Sequence, residues 1–266
     1  MGVAGRGEGD AVELSVDVAA RPETVWRCVT EEALLSRWLS AGVSLEPRVG
    51  GAVRIDFARH GTVVEGVVEE VRPGERLVFS WGVGSGPQRA AMPPGSTRVR
   101  ISLERTASGT RVTLRHEGLP SEKERRDHAM GWNGYLGSLA GVAPLAAVEG
   151  GPEALWDRWC EAWGETDAAR RGAVLARCVS DDVAFRDLHA EGSGREWLSQ
   201  WIGGCQAMFP GTRILRDGPV LHTRGSMLAR WRCEAGGAVV ARGVNHGRLS
   251  GDGRLAAVEG FWEAAG

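Results

Sequence analysis

From Ala11 onward, apolar and polar positions alternate: in "AVELSVDV" the residues Val12, Leu14, Val16 and Val18 fall two apart, the period of a strand with one buried face. The period then lengthens. "RPETVWRCVT" sets Val25, Trp26 and Val29 on one side of a helix beginning at Pro22, and "TEEALLSRWL" predicts a second short helix capped by Thr30. Next come "GAVRIDFA", "TVVEGVVEEV", "RLVFSWG", "TRVRISLER" and "TRVTLRHEG", short β-branched runs separated by turn signals such as "RPGE" and "ASGT". They predict an antiparallel meander. A long helix should follow Ser121, which suits its cap, with His128, Trp132, Tyr135, Leu136 and Leu139 on one face.

"AGVAPLAAVEGG" interrupts that helical pattern with Pro144 and a glycine pair, so two domains are expected, over residues 11–146 and 152–266. In the second, "PEALWDRWCEAWGETDAARRGAVLARCV" sets Leu155, Trp156, Trp159 and Trp163 on one helical side and breaks at Gly164. The strand "DVAFRDL", the helix "GREWLSQWIGGCQAMF" and four further strands complete it, the last two joined by the turn "SGDG". Helices followed by a curved sheet make an α+β cone, and the fold class of both halves is α+β.

Composition removes several chemistries. A formal net charge of -2 over 266 residues leaves no broad electropositive surface, so nucleic acid is not an expected partner. No run approaches the ~20 apolar residues of a membrane span. "MGVAGRGEGD" lacks the apolar core of a signal peptide and reads as disordered, so a cytoplasmic protein without a membrane partner is expected. Five scattered cysteines, none in a C-x-x-C pair, fit reduced thiols rather than a disulfide framework. Lys123 is the only lysine and lies in the polar run "SEKERRD", which disfavours Schiff-base or pyridoxal chemistry. His189, His222 and His246 show no metal-ligand spacing, and no Walker loop, G-x-S-x-G elbow or strand-borne G-x-G-x-x-G occurs. No metal and no cofactor are expected.

The order strand, two short helices, curved sheet and long closing helix resembles the bacterial START-like (SRPBCC) helix-grip fold, in the branch named after the activator of the heat-shock-protein-90 ATPase. "RPETVWRCVT", "RWL", "EPRVGGAVRIDF", "ERLVFSW" and "HAMGWNGYLGSL" carry the resemblance. It implies an apolar cavity for a hydrophobic small molecule, lined by Trp38, Phe57, Trp81, His128, Trp132, Tyr135 and Leu136, with "GVGSGPQRAAMPPGS" as a mobile rim. From the residues alone, such an aromatic stripe at helical spacing equally describes plain core.

The second half resembles the nuclear transport factor 2-like superfamily, with its SnoaL-like polyketide cyclases and ketosteroid isomerases, through "DDVAFRD", "FPG" and "RLSGDGRLAAVEGFW". The resemblance implies a homodimer through the sheet of this domain. It puts Asp187 at the position of the general base and Asn245 at that of the second oxyanion donor, while the tyrosine of that hole has no counterpart because Trp159 or Trp163 stands there. Strand alternation sends Phe185 and Asp187 to one face, where the carboxylate would be partly desolvated, with His222 or His246 as proton partner and Trp159, Trp163, Trp231 and Trp262 as walls. Asn245 and His246 cannot both face inward. Otherwise Asp187 pairs structurally with an arginine such as Arg230 or Arg242. The functions left open are a cyclase- or isomerase-like enzyme acting on a hydrophobic or aromatic molecule, a noncatalytic sequestering or resistance protein, and a chaperone-associated interaction module.

Overall fold

A computed structural model describes residues 4–8 and 11–263. The chain divides into two compact units, Met1–Ala146 and Ala147–Gly266.

In the first unit eight antiparallel strands run in the order β1-β2-β8-β7-β6-β5-β4-β3: β1 (Ala4–Glu8), β2 (Ala11–Val18), β3 (Gly42–Leu45), β4 (Ala52–Phe57), β5 (Thr62–Arg72), β6 (Arg76–Ser85), β7 (Thr97–Thr106) and β8 (Gly109–Glu117). The amino-terminal decapeptide is therefore not uniformly disordered. Ala4–Glu8 pair with Ala11–Ser15 as an edge strand, and positions 1–3 and 9–10 lie outside the described residues. Two short helices, α1 (Pro22–Thr30) and α2 (Glu32–Leu35), follow β2. Thr30 does not cap the second: it closes the first, its hydroxyl donating to the Trp26 carbonyl at 2.7 Å, and Glu31 takes the cap position.

Helix α3 (Glu122–Ala146) is capped by the Ser121 hydroxyl, which accepts from Glu124 N at 3.1 Å. Its buried residues Trp132, Leu136, Leu139, Ala140 and Ala143 recur at helical spacing and pack into one core with the inward positions of the sheet. Pro144 does not end the helix. It sits buried in the last turn, where the lost N–H bond lies next to carbonyls that have no helical partner anyway. Along β8 the inward positions are Val112, Leu114 and His116, so strict alternation carries a histidine into the core.

The second unit begins with α4 (Gly151–Gly164) and α5 (Ala168–Cys178), whose cap Asp167 accepts from Arg170 N at 2.8 Å. After β9 (Val179–Arg186) and β10 (Glu191–Ser193) comes α6 (Arg195–Met208), then β11 (Arg213–Arg216), β12 (Leu221–Thr223), β13 (Ser226–Ala235), β14 (Ala238–Leu249) and β15 (Leu255–Trp262). The sheet order is β10-β9-β15-β14-β13-β11, with β12 also on β13 and β9 parallel to β15. Glycines on the strands make room for indoles. A Cβ on Gly243 would lie 2.5 Å from the Trp231 ring, and one on Gly247 2.8 Å from Trp156.

Candidate functional site

Each unit leaves a hollow between its sheet and its helices. The larger, in the second unit, has a volume of about 530 Å³. Its walls are the rings of Trp159, Trp163, Phe185, Trp201, Trp231 and Trp262, and among the described residues no arginine or lysine lines it. Phe185 and Asp187 reach it together from the end of β9, as same-face neighbours must.

Asp187 is half-buried and stands where the chain turns from β9 into β10. Its Oδ1 accepts the backbone N–H of His189 at 2.8 Å and of Ala190 at 2.9 Å, while its own N–H donates to the Ala190 carbonyl at 2.8 Å. This side-chain turn fixes the carboxyl group in orientation and leaves Oδ2 without a partner among the described residues. No arginine pairs with it. Arg242 binds Asp217 at 2.6 Å, and Arg230 approaches Glu263 at 3.9 Å.

Asn245, on β14, is 8% exposed and lines the same cavity, yet its side-chain amide makes no hydrogen bond among the described residues. The amide faces the open hollow, where its N–H can donate to a ligand oxygen. Between the two side chains lies Gly260. A Cβ there would come within 3.0 Å of Asp187 Cβ and 3.4 Å of Asn245 Oδ1, so the glycine keeps the space they share open. His246 points to the other face, its Nδ1 3.2 Å from Glu259, which it helps hold below the usual carboxylate range.

His222 is not part of this site. The short β12 pairs His222 with Met227, at the far end of β13 from Trp231, and its Nε2 accepts from Gly225 N at 3.1 Å inside a tight turn. Burial lowers its pKa. The residue that periodicity did not single out is His189, which lines the cavity and meets the Trp262 ring edge-on at 5.2 Å. Trp201, Cys205, Gln206 and Phe209 also line it, from α6 and the residue just beyond it. The aromatic spacing of Trp197 and Trp201 in "GREWLSQW" was the available signal.

The hollow of the first unit measures about 340 Å³ and is lined by Phe57, Trp81, His128, Trp132 and Tyr135 among others. Trp38 lies elsewhere, in dense core. It is 4% exposed, its indole N–H donates to the Cys28 carbonyl at 2.8 Å, and the gap beside it holds about 10 Å³. Leu136 is likewise core and does not line the hollow. The glycine-rich rim is tied down by Val83 N donating to the Met92 carbonyl at 2.6 Å, and it contributes Gln88 and the buried Met92 to the lining. Behind the wall lies a closed hydrogen-bond chain. Trp132 Nε1–H donates to His116 Nδ1 at 3.1 Å, His116 Nε2 meets the Thr97 hydroxyl at 2.8 Å, and that hydroxyl donates to the Trp81 carbonyl at 2.9 Å. Desolvation, and next the neighbouring His128, bring the His116 pKa down to about 3.

Among the described residues no helix is long and apolar enough to cross a membrane, and no cluster of three or more His, Cys, Asp or Glu residues is placed to hold a metal.

The family model for "Activator of Hsp90 ATPase homolog 1-like protein" matches residues 19–143. A comparison with curated proteins found no match. Among solved structures, an AHSA1-like protein of Rhizobium etli is 34% identical over 50% of this chain and 81% of its own, with a TM-score of 0.40. The Aha1 dimer of Colwellia psychrerythraea is 21% identical over 48% of this chain and 92% of its own, TM-score 0.41. A SnoaL-like protein of Agrobacterium tumefaciens is 24% identical over 42% of this chain and 96% of its own, TM-score 0.40.

Proposed function

We propose, for a chain whose residues 19–143 belong to the family of activator of Hsp90 ATPase homolog 1-like proteins, that the second unit binds a neutral, flat aromatic or polycyclic ketone and moves a proton on it. One observation carries the reading: an oriented carboxylate and an unpartnered buried amide share an open hollow walled by indoles. The walls offer flat apolar surface, and the lack of a lining cation disfavours a carboxylate or phosphate ligand.

In this reading the free Oδ2 of Asp187 takes a proton from the carbon next to the carbonyl. The electron pair left behind moves onto the carbonyl oxygen, and the Asn245 amide N–H stabilises the resulting enolate. Returning the proton to another carbon of the enolate isomerises the substrate. If the enolate carbon instead attacks a second carbonyl, a ring closes and the new alkoxide takes the proton back from Asp187. An amide is a weaker donor than a carboxylic acid, so the reading favours ketones already acidified by conjugation.

Gly260→Val tests it. Thermal-shift and native mass spectrometry with neutral polycyclic ketones should detect a ligand for the wild type and at least about a tenfold weaker one for the variant, whose side chain would occupy the gap between Asp187 and Asn245. Failure of every such ketone to bind the wild type would overturn the reading.

A homodimer through this sheet belongs to the same proposal. Phe261 and Leu228 point away from the cavity and are 56% and 44% exposed, beside Val244 on the strand between them. Phe261→Arg is expected to convert a dimer to monomer in sedimentation velocity; a wild type that sediments as a monomer would remove the dimer.

A further inference from the structure

The hollow of the first unit has a different chemistry, and we propose that it is a binding site for a protonated amine carried on an aromatic body. This site is independent of the reading given to Asp187. Its two carboxylates, Glu124 and Asp127, stand with His128 on the first turns of α3. His128 Nδ1 donates to the Glu124 carbonyl at 2.8 Å, which fixes the ring, and its Nε2 has no hydrogen-bond partner among the described residues. The Glu124 carboxylate has a side chain only 12% exposed, and among the described residues no lysine or arginine pairs with it, the His128 imidazole standing 3.8 Å away. Asp127 stands at the lining too, with Lys123 at 2.6 Å on a side chain that is 70% exposed. Among the described residues no arginine or lysine lines the hollow.

Aromatic rings from α3 and from the sheet make up much of the remaining lining. Phe57, Trp81, Trp132 and Tyr135 form a continuous cluster with ring centroids 6.1 Å (Phe57–Trp81), 5.7 Å (Phe57–Tyr135), 5.2 Å (Trp81–Trp132) and 5.9 Å (Trp132–Tyr135) apart. Aromatic rings beside the desolvated Glu124 carboxylate favour an organic cation twice over, by the ring quadrupole and by charge pairing. An anionic ligand would bring like charge against Glu124, and a wholly apolar one would bury that carboxylate without a counterion. The ligand class is therefore an aromatic molecule carrying an amine, small enough for about 340 Å³.

Tyramine, tyrosol and phloretic acid share a phenol and differ in carrying an ammonium, a hydroxyl or a carboxylate. Titrated into the full chain and followed by the indole N–H signals of Trp81 and Trp132 in nitrogen–proton NMR, tyramine should bind at least about tenfold tighter than tyrosol, and phloretic acid should not bind. Signals of Trp163 and Trp231 report the other hollow and keep the two sites apart. Glu124→Gln keeps the backbone carbonyl that holds His128 and should bring the tyramine-to-tyrosol ratio close to one. Gly131→Leu should abolish binding by filling the hollow. A Cβ at Gly131 meets nothing nearer than Tyr135 at 3.8 Å, and leucine favours the helix. The proposal is overturned if phloretic acid binds as well as tyramine, if Glu124→Gln leaves the ratio unchanged, or if no probe moves the Trp81 and Trp132 signals.

Discussion

Asp187→Asn is expected to slow carbon–proton exchange of a bound ketone by about a thousandfold or more, because it removes the only carboxylate lining the larger hollow among the described residues. Binding should survive. Asparagine has the same shape, and its Oδ1 can still accept the N–H groups of His189 and Ala190 that orient Asp187 now. Most of the ligand's contact surface comes from tryptophan and phenylalanine, so the dissociation constant should change by no more than about threefold. The measurement is deuterium uptake into a bound ketone such as β-tetralone, with affinity determined in parallel. An exchange rate equal to that of the wild type would end the assignment of Asp187 as base. A rate that falls only together with affinity would make Asp187 a binding group.

The second large effect is acid destabilisation of the first unit through His116. An unfolded chain protonates this histidine near its ordinary pKa of 6.5, whereas the folded chain refuses the proton until about pH 3. Between those values the unfolded state binds more protons, so stability falls as the pH drops through 6.5 and the loss is complete near 3. The full interval corresponds to on the order of 5 kcal/mol. The closed chain gives the structural cause. Protonated Nδ1 would face the Trp132 N–H donor to donor, with the His128 ring edge-on at 4.8 Å. His116→Gln should cost about 1–3 kcal/mol at neutral pH by disturbing that chain. It should also flatten the dependence of stability on pH in the mildly acidic range. Denaturant midpoints recorded with a probe local to this unit, wild type against variant, decide the matter, since carboxylate titrations common to both cancel in the comparison. Parallel curves would show that His116 is not responsible.

The His116 chain also shows where sequence reading stops. "TRVTLRHEG" alternates Val112, Leu114 and His116 onto one face, so its burial was legible from period two. Its partners were not, because Thr97 and Trp132 come from a different strand and from α3. Asp187 behaves similarly. Alternation puts it beside Phe185, but its orientation depends on a turn closed by His189 and Ala190. His222 misled for the converse reason. Nothing in "VLHTRGS" says that β12 is three residues long and pairs with the far end of β13, and that pairing takes the imidazole away from the hollow. Trp38 has the composition of a ligand wall and the packing of a core residue, a difference set by how closely α1 and the sheet approach it.

Local periodicity was sufficient to determine the longer strands and helices and the α+β class of both halves, because a strand repeats every two residues and a helix every 3.6 whatever surrounds them, whereas the short β1, β3, β10 and β12 escaped it. Empty space is not a local property. Whether eleven tryptophans fill two hollows or line them depends on side chains that meet from elements far apart in the chain, and on glycines such as Gly260 that withhold a side chain where two others converge. Close packing settles those distances, and only the tertiary structure decides them.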